Sequence, residues 1–391
     1  MNIVFLGYAI GEKDIPKYSG TSVAGNKMQL GILKELYKRD DVKLTVVTVP
    51  PVASFPRDRC IINKAEKIHL FDDLYSIGIS FINIPILKQI SQISSTSRVL
   101  KRVVSHDTLL ISYNMYPEVG NPTVYVQKTI GCKICPIIAD LPIDPFGKRC
   151  IVKMFLRKIY NDICKSNIKK SNKLVVLNKN AADKYAPRIP YMVIEGGVEE
   201  NSISKPSGYN PKKKNIVYTG ALTEYSGIMN LIKAINLLDD DSVTLDIYGD
   251  GPLKNTVMEL SSDSERVFYY GKVSNEVAQK AQREAWLLAN PRPVNDLISL
   301  MTFPSKIMEY MVSGVPVLST KLSGLSEAFR AHLYMMGDQP EDMRDAIESV
   351  SQKSIEELSS KATDAYRFIA DNKTWRNQID RFCDFISDLI T

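Results

Sequence analysis

The chain has 391 residues, of which 44% are hydrophobic and 24% charged, with a net charge of +6. That is the make-up of a soluble globular protein long enough for two ordinary domains. No apolar run approaches the roughly 20 residues of a membrane-spanning helix. The opening MNIVFLG reads as a strand closed by glycine rather than a secretory leader, so the expected location is cytoplasmic.

From the first residue the pattern alternates strands and helices, as in a doubly wound α/β domain. Strands are predicted over 2–6, 43–49, 109–112, 134–139, 173–177 and 191–195, and an amphipathic helix over 25–38. The loop Gly20-Thr-Ser-Val-Ala-Gly25-Asn opens that helix, where backbone N–H groups can meet an anion or an acceptor. It follows neither the GxGxxG nor the Walker spacing, which argues against nicotinamide and ATP chemistry. Six cysteines are scattered along the chain, and only Cys132 and Cys135 have metal-like spacing. One such pair is half a zinc site, so these read as structural thiols. His69, His106 and His332 have no evident nucleophile partner, which argues against a hydrolase triad.

Between Lys148 and Lys173 lie Arg149, Lys153, Arg157, Lys158, Lys165, Lys169 and Lys170 against Asp162 alone. Ile151, Val152, Met154, Phe155, Ile159 and Ile163 interleave at near-helical spacing. Two readings stand: a solvated helix whose apolar face packs in the core, or a basic surface drawn to anionic lipid at the inner face of a membrane. Nucleic acid fits less well, because no aromatic stacking platform accompanies the charge.

After a polar turn at 208–214 a second alternating set begins, with strands at 215–219, 244–248, 267–270 and 287–290 and helices at 228–238, 253–261 and 275–283. Asp239-Asp-Asp241 lies between a helix and a strand, where acidic turns are common, and reads as structural. The most informative stretch is Phe303-Pro-Ser-Lys-Ile-Met-Glu-Tyr-Met-Val-Ser-Gly-Val-Pro-Val-Leu-Ser-Thr320. It predicts a short helix with Pro304 in its first turn, a left-handed stop at Gly314 and a buried strand over 315–319. Ser305, Lys306 and Glu309 share one helical face, and Ile307, Met308 and Met311 the other. Such a face suits an anion beside a hydroxyl-bearing group, with Lys306 and first-turn N–H groups on phosphate and Glu309 on ribose. A plain Lys306–Glu309 ion pair is the alternative.

Asn290-Pro-Arg-Pro293, Pro304-Ser-Lys306, Glu309-Tyr310 and Gly314-Val-Pro316 resemble the donor-binding segment of the retaining group 1, or family 4, glycosyltransferases. The resemblance implies a GT-B fold: two Rossmann-like domains facing a central cleft, with the last helix crossing back to the first. The expected domains are 1–197 for the acceptor, completed by 373–391, and 198–372 for a nucleoside diphosphate-sugar. Ile379, Phe382, Ile386 and Leu389 have the spacing of such a final helix. The implied donor set is Arg292, Lys306, Ser305, Pro304 and Glu309, with Gly271-Lys272-Val273 reading the base and Gly249, Gly20 and Gly25 close to the donor. Asp140 and Asn114 fall on the acceptor side, Asp140 near the family's functional histidine. Arg292, Lys306 and Asp140 are the expected catalytic residues, and neither a metal nor a cofactor is expected.

The chain also departs from the family. Met301 stands where relatives carry a sugar-binding glutamate, with Asp296 a candidate substitute, and Ala221 and Ser226 replace phosphate-directed Arg and Lys. The function so implied is retaining transfer of a sugar to a saccharide or lipid-linked acceptor, in bacterial surface polysaccharide or glycolipid synthesis. The alternatives are a donor-binding protein with lapsed catalysis and a nucleotide-sugar epimerase of the same fold.

Overall fold

The computed structural model describes residues 1–140, 151–203, 208–295 and 303–389. The chain forms two compact units, Met1–Gly197 with Trp375–Thr391, and Val198–Thr374.

In the first unit β1 (Asn2–Gly7) is the centre of a six-stranded sheet of order β4-β5-β2-β1-β7-β8. Its other strands are β2 (Lys43–Thr48), β4 (Lys67–Phe71), β5 (Leu74–Gly78), β7 (Thr108–Ser112) and β8 (Lys133–Ile134). All neighbours are parallel except the edge pair β4–β5. Ile3 and Phe5 join one buried cluster, and Val4 and Leu6 join another on the opposite face. Successive side chains of a strand point to opposite faces, so a strand covered on both reads as an unbroken apolar run. Helix α1 (Val23–Tyr37) and the last helix, α13 (Trp375–Ile386), pack together on one face, with Trp375, Ile379, Phe382 and Ile386 in the core. Helices α2 (Leu87–Val103) and α3 (Pro117–Ile130) pack together at the other, and α4 (Ile151–Ile168) packs on α3.

The strand predicted over 134–139 is divided: β8 belongs to the main sheet, and β9 (Ile137–Ile138) to a small sheet of order β11-β10-β9. Pro136 lies between them and cannot donate to a ladder. In that small sheet β10 is Leu174–Val176 and β11 is Tyr191–Val193, with α5 (Lys179–Tyr185) connecting them. An antiparallel pair, β3 (Ile62–Asn63) with β6 (Phe81–Ile82), completes the unit.

The second unit holds a parallel sheet of order β14-β13-β12-β15-β16-β17. Its strands are β12 (Asn215–Thr219), β13 (Thr244–Tyr248), β14 (Val267–Gly271), β15 (Leu287–Asn290), β16 (Val317–Thr320) and β17 (Tyr334–Met336). Its helices are α6 (Ile228–Asn236), α7 (Lys254–Ser262), α8 (Asn275–Arg283), α9 (Lys306–Met311), α10 (Glu327–Arg330), α11 (Pro340–Ser351) and α12 (Ile355–Asn372). Strand order reverses between β12 and β15, the crevice where open α/β sheets take ligands. The Asp239–Asp241 turn is a solvated corner: Asp240 pairs with Lys214 at 2.8 Å and Asp241 with Arg266 at 3.1 Å.

None of the described helices is long and apolar enough to cross a membrane.

Candidate functional site

In the second unit a cavity of about 330 Å³ opens at the reversal point. Thr219 and Gly220 leaving β12, Asn290 and Arg292 leaving β15, and Ser305, Lys306 and Tyr310 of α9 line it. Two cations expected on donor phosphate therefore share one cavity, Arg292 half-buried and Lys306 partly exposed. Helix α9 begins one to two residues later than predicted, with Ser305 at its N-cap. Pro304 carbonyl accepts from the Ile307 N–H at 2.9 Å, closing the entry turn. A helix of 6 residues has little cumulative dipole, so the two side-chain cations carry the positive charge here.

Burial sorts the helix faces as the spacing requires. Ile307, Met308 and Met311 are buried, and Lys306 and Glu309 partly open. Tyr310, also buried, accepts from the Thr219 N–H at 2.9 Å and donates to its carbonyl at 3.1 Å, tying α9 to the end of β12. Glu309 is held at both oxygens, one accepting from Lys306 Nζ at 2.9 Å and the other from Gln282 Nε2 at 3.0 Å. Gln282 also donates to Thr219 Oγ1 at 2.8 Å. The ion pair is thus present and fixes Glu309 beside the cavity wall. Sequence reasoning passed over Gln282, whose only signal was a polar residue on the inward side of α8.

Glycines shape the wall. Gly227 has φ +72°, and a Cβ there would come within 1.7 Å of the Pro291 carbonyl oxygen, directly before Arg292. A Cβ on Gly249 would come within 1.8 Å of the Gly220 oxygen. Gly249 in turn donates to the Gly271 carbonyl at 2.9 Å, so Gly220, Gly249 and Gly271 sit side by side at three strand ends. Gly271, Lys272 and Val273 lie beyond the cavity lining, and Lys272 is exposed. Ala221 and Ser226 line the cavity with the cations. Tyr218 donates to the Ala221 carbonyl at 2.8 Å; burial raises its phenol pKa, with Arg292 and Ser226 pulling it back. Met301 and Asp296 lie outside the described residues.

A second cavity, about 270 Å³, opens in the first unit at its own reversal point. Tyr8 after β1, Tyr113 and Asn114 after β7, Gly20 and Gly25, Glu118 and Asp140 all line it. Asn114 adopts φ +63°, which asparagine tolerates better than most residues. Its side-chain oxygen accepts from the Ala139 and Asp140 N–H groups, each at 2.9 Å, and its amide donates to Asp140 at 3.2 Å. Asp140 keeps an open edge, yet the protein around it removes enough water to raise its carboxyl pKa.

The Gly20–Asn26 loop has less to offer an anion than its composition implied. Gly20 N–H donates to the Pro51 carbonyl at 2.8 Å, Gly25 N–H to Ser22 Oγ at 3.2 Å, and Asn26 N–H to the Ser22 carbonyl at 2.8 Å. These amides cap α1 and close the loop.

Glu118 was missed in the sequence, although Pro117 followed by an acid is a helix-start signature. Tyr8 donates to its Oε1 at 3.0 Å, while Oε2 is buried with no hydrogen-bond partner among the described residues. Burial raises its pKa against the pull of Tyr8, Lys88 and Tyr160. A carboxyl raised above its unfolded value stabilises the fold fully below that value, about 4.3, and loses this as pH rises through the folded value. Glu118→Gln should therefore gain stability relative to wild type as pH climbs from about 4 to about 8. Denaturant midpoints across that range check this; parallel profiles would contradict it.

Among the described residues no group of three or more His, Cys, Asp or Glu side chains is gathered for a metal. Cys132 and Cys135 are buried in the first unit's core, their thiol pKa values pushed up to about 11 and about 12. On α4, Met154, Phe155 and Ile159 are exposed, Ile163 is half-buried, and Cys164 and Ile168 are buried, so the helix packs in the core only toward its C-terminal end. Lys148 and Arg149 lie outside the described residues.

Residues 213–353 match the family described as Glycosyl transferases group 1. The putative teichuronic acid biosynthesis glycosyltransferase TuaC of Bacillus subtilis is 26% identical over 163 residues, 41% of this chain and 38% of the relative. The fold is that of sucrose-phosphate synthase from Thermosynechococcus elongatus, with a TM-score of 0.68 and 12% identity over 100% of this chain and 99% of that one. HepE of Anabaena, solved in complex with UDP, gives a TM-score of 0.64 at 12% identity over 99% of this chain and 100% of that one. These likenesses identify the architecture as GT-B, built from two Rossmann-like units.

Proposed function

We propose, taking as premise that the chain is a group 1 glycosyltransferase through residues 213–353, that it moves a sugar from a nucleoside diphosphate-sugar to an acceptor hydroxyl. The observation that carries this reading is the convergence of Arg292 and Lys306 on one cavity at the reversal point of a parallel sheet, with Glu309 braced beside it. Two cations in a partly enclosed site stabilise a departing diphosphate, whose charge grows as the glycosidic bond breaks. Glu309 offers carboxylate oxygens to ribose hydroxyls, and the adjoining glycines let backbone approach the base. UDP in the HepE structure supports a nucleoside diphosphate as the leaving group, and so a nucleoside diphosphate-sugar as donor.

Retention of configuration, metal-independent catalysis, and a saccharide or lipid-linked acceptor of bacterial surface polymer synthesis complete the proposal; the teichuronic acid relative supports the last. Asp140 and Asn114 then belong to the acceptor side. Ala221 and Ser226 within the cavity favour one rival, a donor-binding protein that no longer transfers. Incubating the chain with a panel of nucleoside diphosphate-sugars and simple glycoside acceptors separates the two. Transfer with an anomerically retained product is expected; donor binding without transfer or donor hydrolysis would favour the rival.

A further inference from the structure

The start of α2 carries apolar side chains that none of the described residues covers. Ile86 is 71% exposed and Ile90 60%, and Leu87, Ile84, Ile82 and Ile62 beside them are exposed as well. The patch is continuous: Ile62 pairs with Ile82 across β3–β6, and Ile82 N–H donates to Ser91 Oγ of α2 at 3.0 Å. Ile86 takes φ +70°, a conformation β-branched residues rarely adopt, so the chain holds this side chain outward against a backbone cost. Exposed apolar surface of this extent normally marks a contact.

Charge identifies the occupant. From residue 74 to residue 106 the chain has no acidic residue, and α2 presents Arg98, Lys101 and Arg102 to solvent, whereas Lys88 turns its ammonium inward to the Val52 carbonyl. On α4 the exposed Met154, Phe155, Leu156 and Ile159 are interleaved with exposed Arg157 and Lys158. α3 packs against both α2 and α4. Lys88 of α2 and Tyr160 of α4 line the same first-unit cavity. A second copy would set these cations against their equals, whereas an anionic bilayer matches them and accepts the apolar side chains.

We infer that the α2 start and α4 form a two-part membrane-docking face that seats the first-unit cavity on anionic lipid. This rests on the proposed lipid-linked acceptor but concerns surfaces outside the donor site.

The full chain is tested by co-sedimentation with vesicles of phosphatidylcholine alone and of an equal mixture with phosphatidylglycerol. Binding to the mixed vesicles only is expected, weakened about tenfold by Ile86→Ser with Ile90→Ser and similarly by Met154→Ser with Phe155→Ser. Circular dichroism and nucleoside diphosphate binding of these surface variants should match wild type, separating this outcome from failure of the donor reading. Absent binding, binding indifferent to lipid charge, or variants that bind as wild type would each overturn the inference. So would self-association abolished by Ile86→Ser, which would assign the patch to a second copy.

Discussion

Lys306→Ala is expected to weaken nucleoside diphosphate binding by roughly 10–100-fold, the worth of one charged hydrogen bond at about 1.5–3 kcal/mol. The loss has two sources. Phosphate loses a cation, and Glu309 loses the partner at 2.9 Å that neutralises it, keeping only Gln282. The carboxylate then stands uncompensated beside the ligand's own negative charge. Titration calorimetry with a panel of nucleoside diphosphates measures this, with Lys280→Ala at an exposed position of α8 as a control expected to change little. An unchanged affinity in Lys306→Ala would remove the phosphate assignment and with it most of the proposed site.

Gly227→Ala should produce a large loss of stability from a single methyl group in the second unit. Alanine at φ +72° costs about 1–2 kcal/mol in backbone terms. Its Cβ also meets the Pro291 oxygen at 1.7 Å and the Arg292 nitrogen at 3.2 Å, so the loop carrying Arg292 must shift. A total of at least about 3 kcal/mol is expected, placing this among the rarer severe substitutions. The denaturant midpoint should fall, and the folded fraction should bind diphosphate more weakly because Arg292 has moved. A variant with wild-type midpoint and affinity would show that the loop is not braced by this contact.

Much of the second unit was legible because its elements obey local rules. β12, β13, α8 and β15 run over the predicted residues, with a glycine after β12 and β13, a serine cap on α8 and a proline after β15. The segment from Phe303 to Thr320 was legible for the same reason: Lys306 and Glu309 lie within one turn of α9, their shared face follows from helical geometry, and Gly314 stops the chain soon after. In the first unit α2 and α3 went unread. α2 mixes serines and threonines with its apolar positions, and α3 carries Pro117 and Pro122. Packing of these helices on each other and on the sheet outweighs weak propensity, a tertiary effect no local window contains.

The chain's local chemistry accordingly settled most elements of the second unit, which face of α9 is charged, and which residue types stand in that segment. Folding decided what those residues are next to. Gln282 reaches Glu309 across 27 positions and Tyr310 reaches Thr219 across 91. Glu118 meets Tyr8 across 110, in a cavity that raises its pKa. It also left Met154, Phe155, Leu156 and Ile159 of α4 in solvent, while Ile168 further along the same helix packs in the core. Periodicity records that a helix has an apolar side; only the neighbours that pack there, or their absence, determine what that side is for.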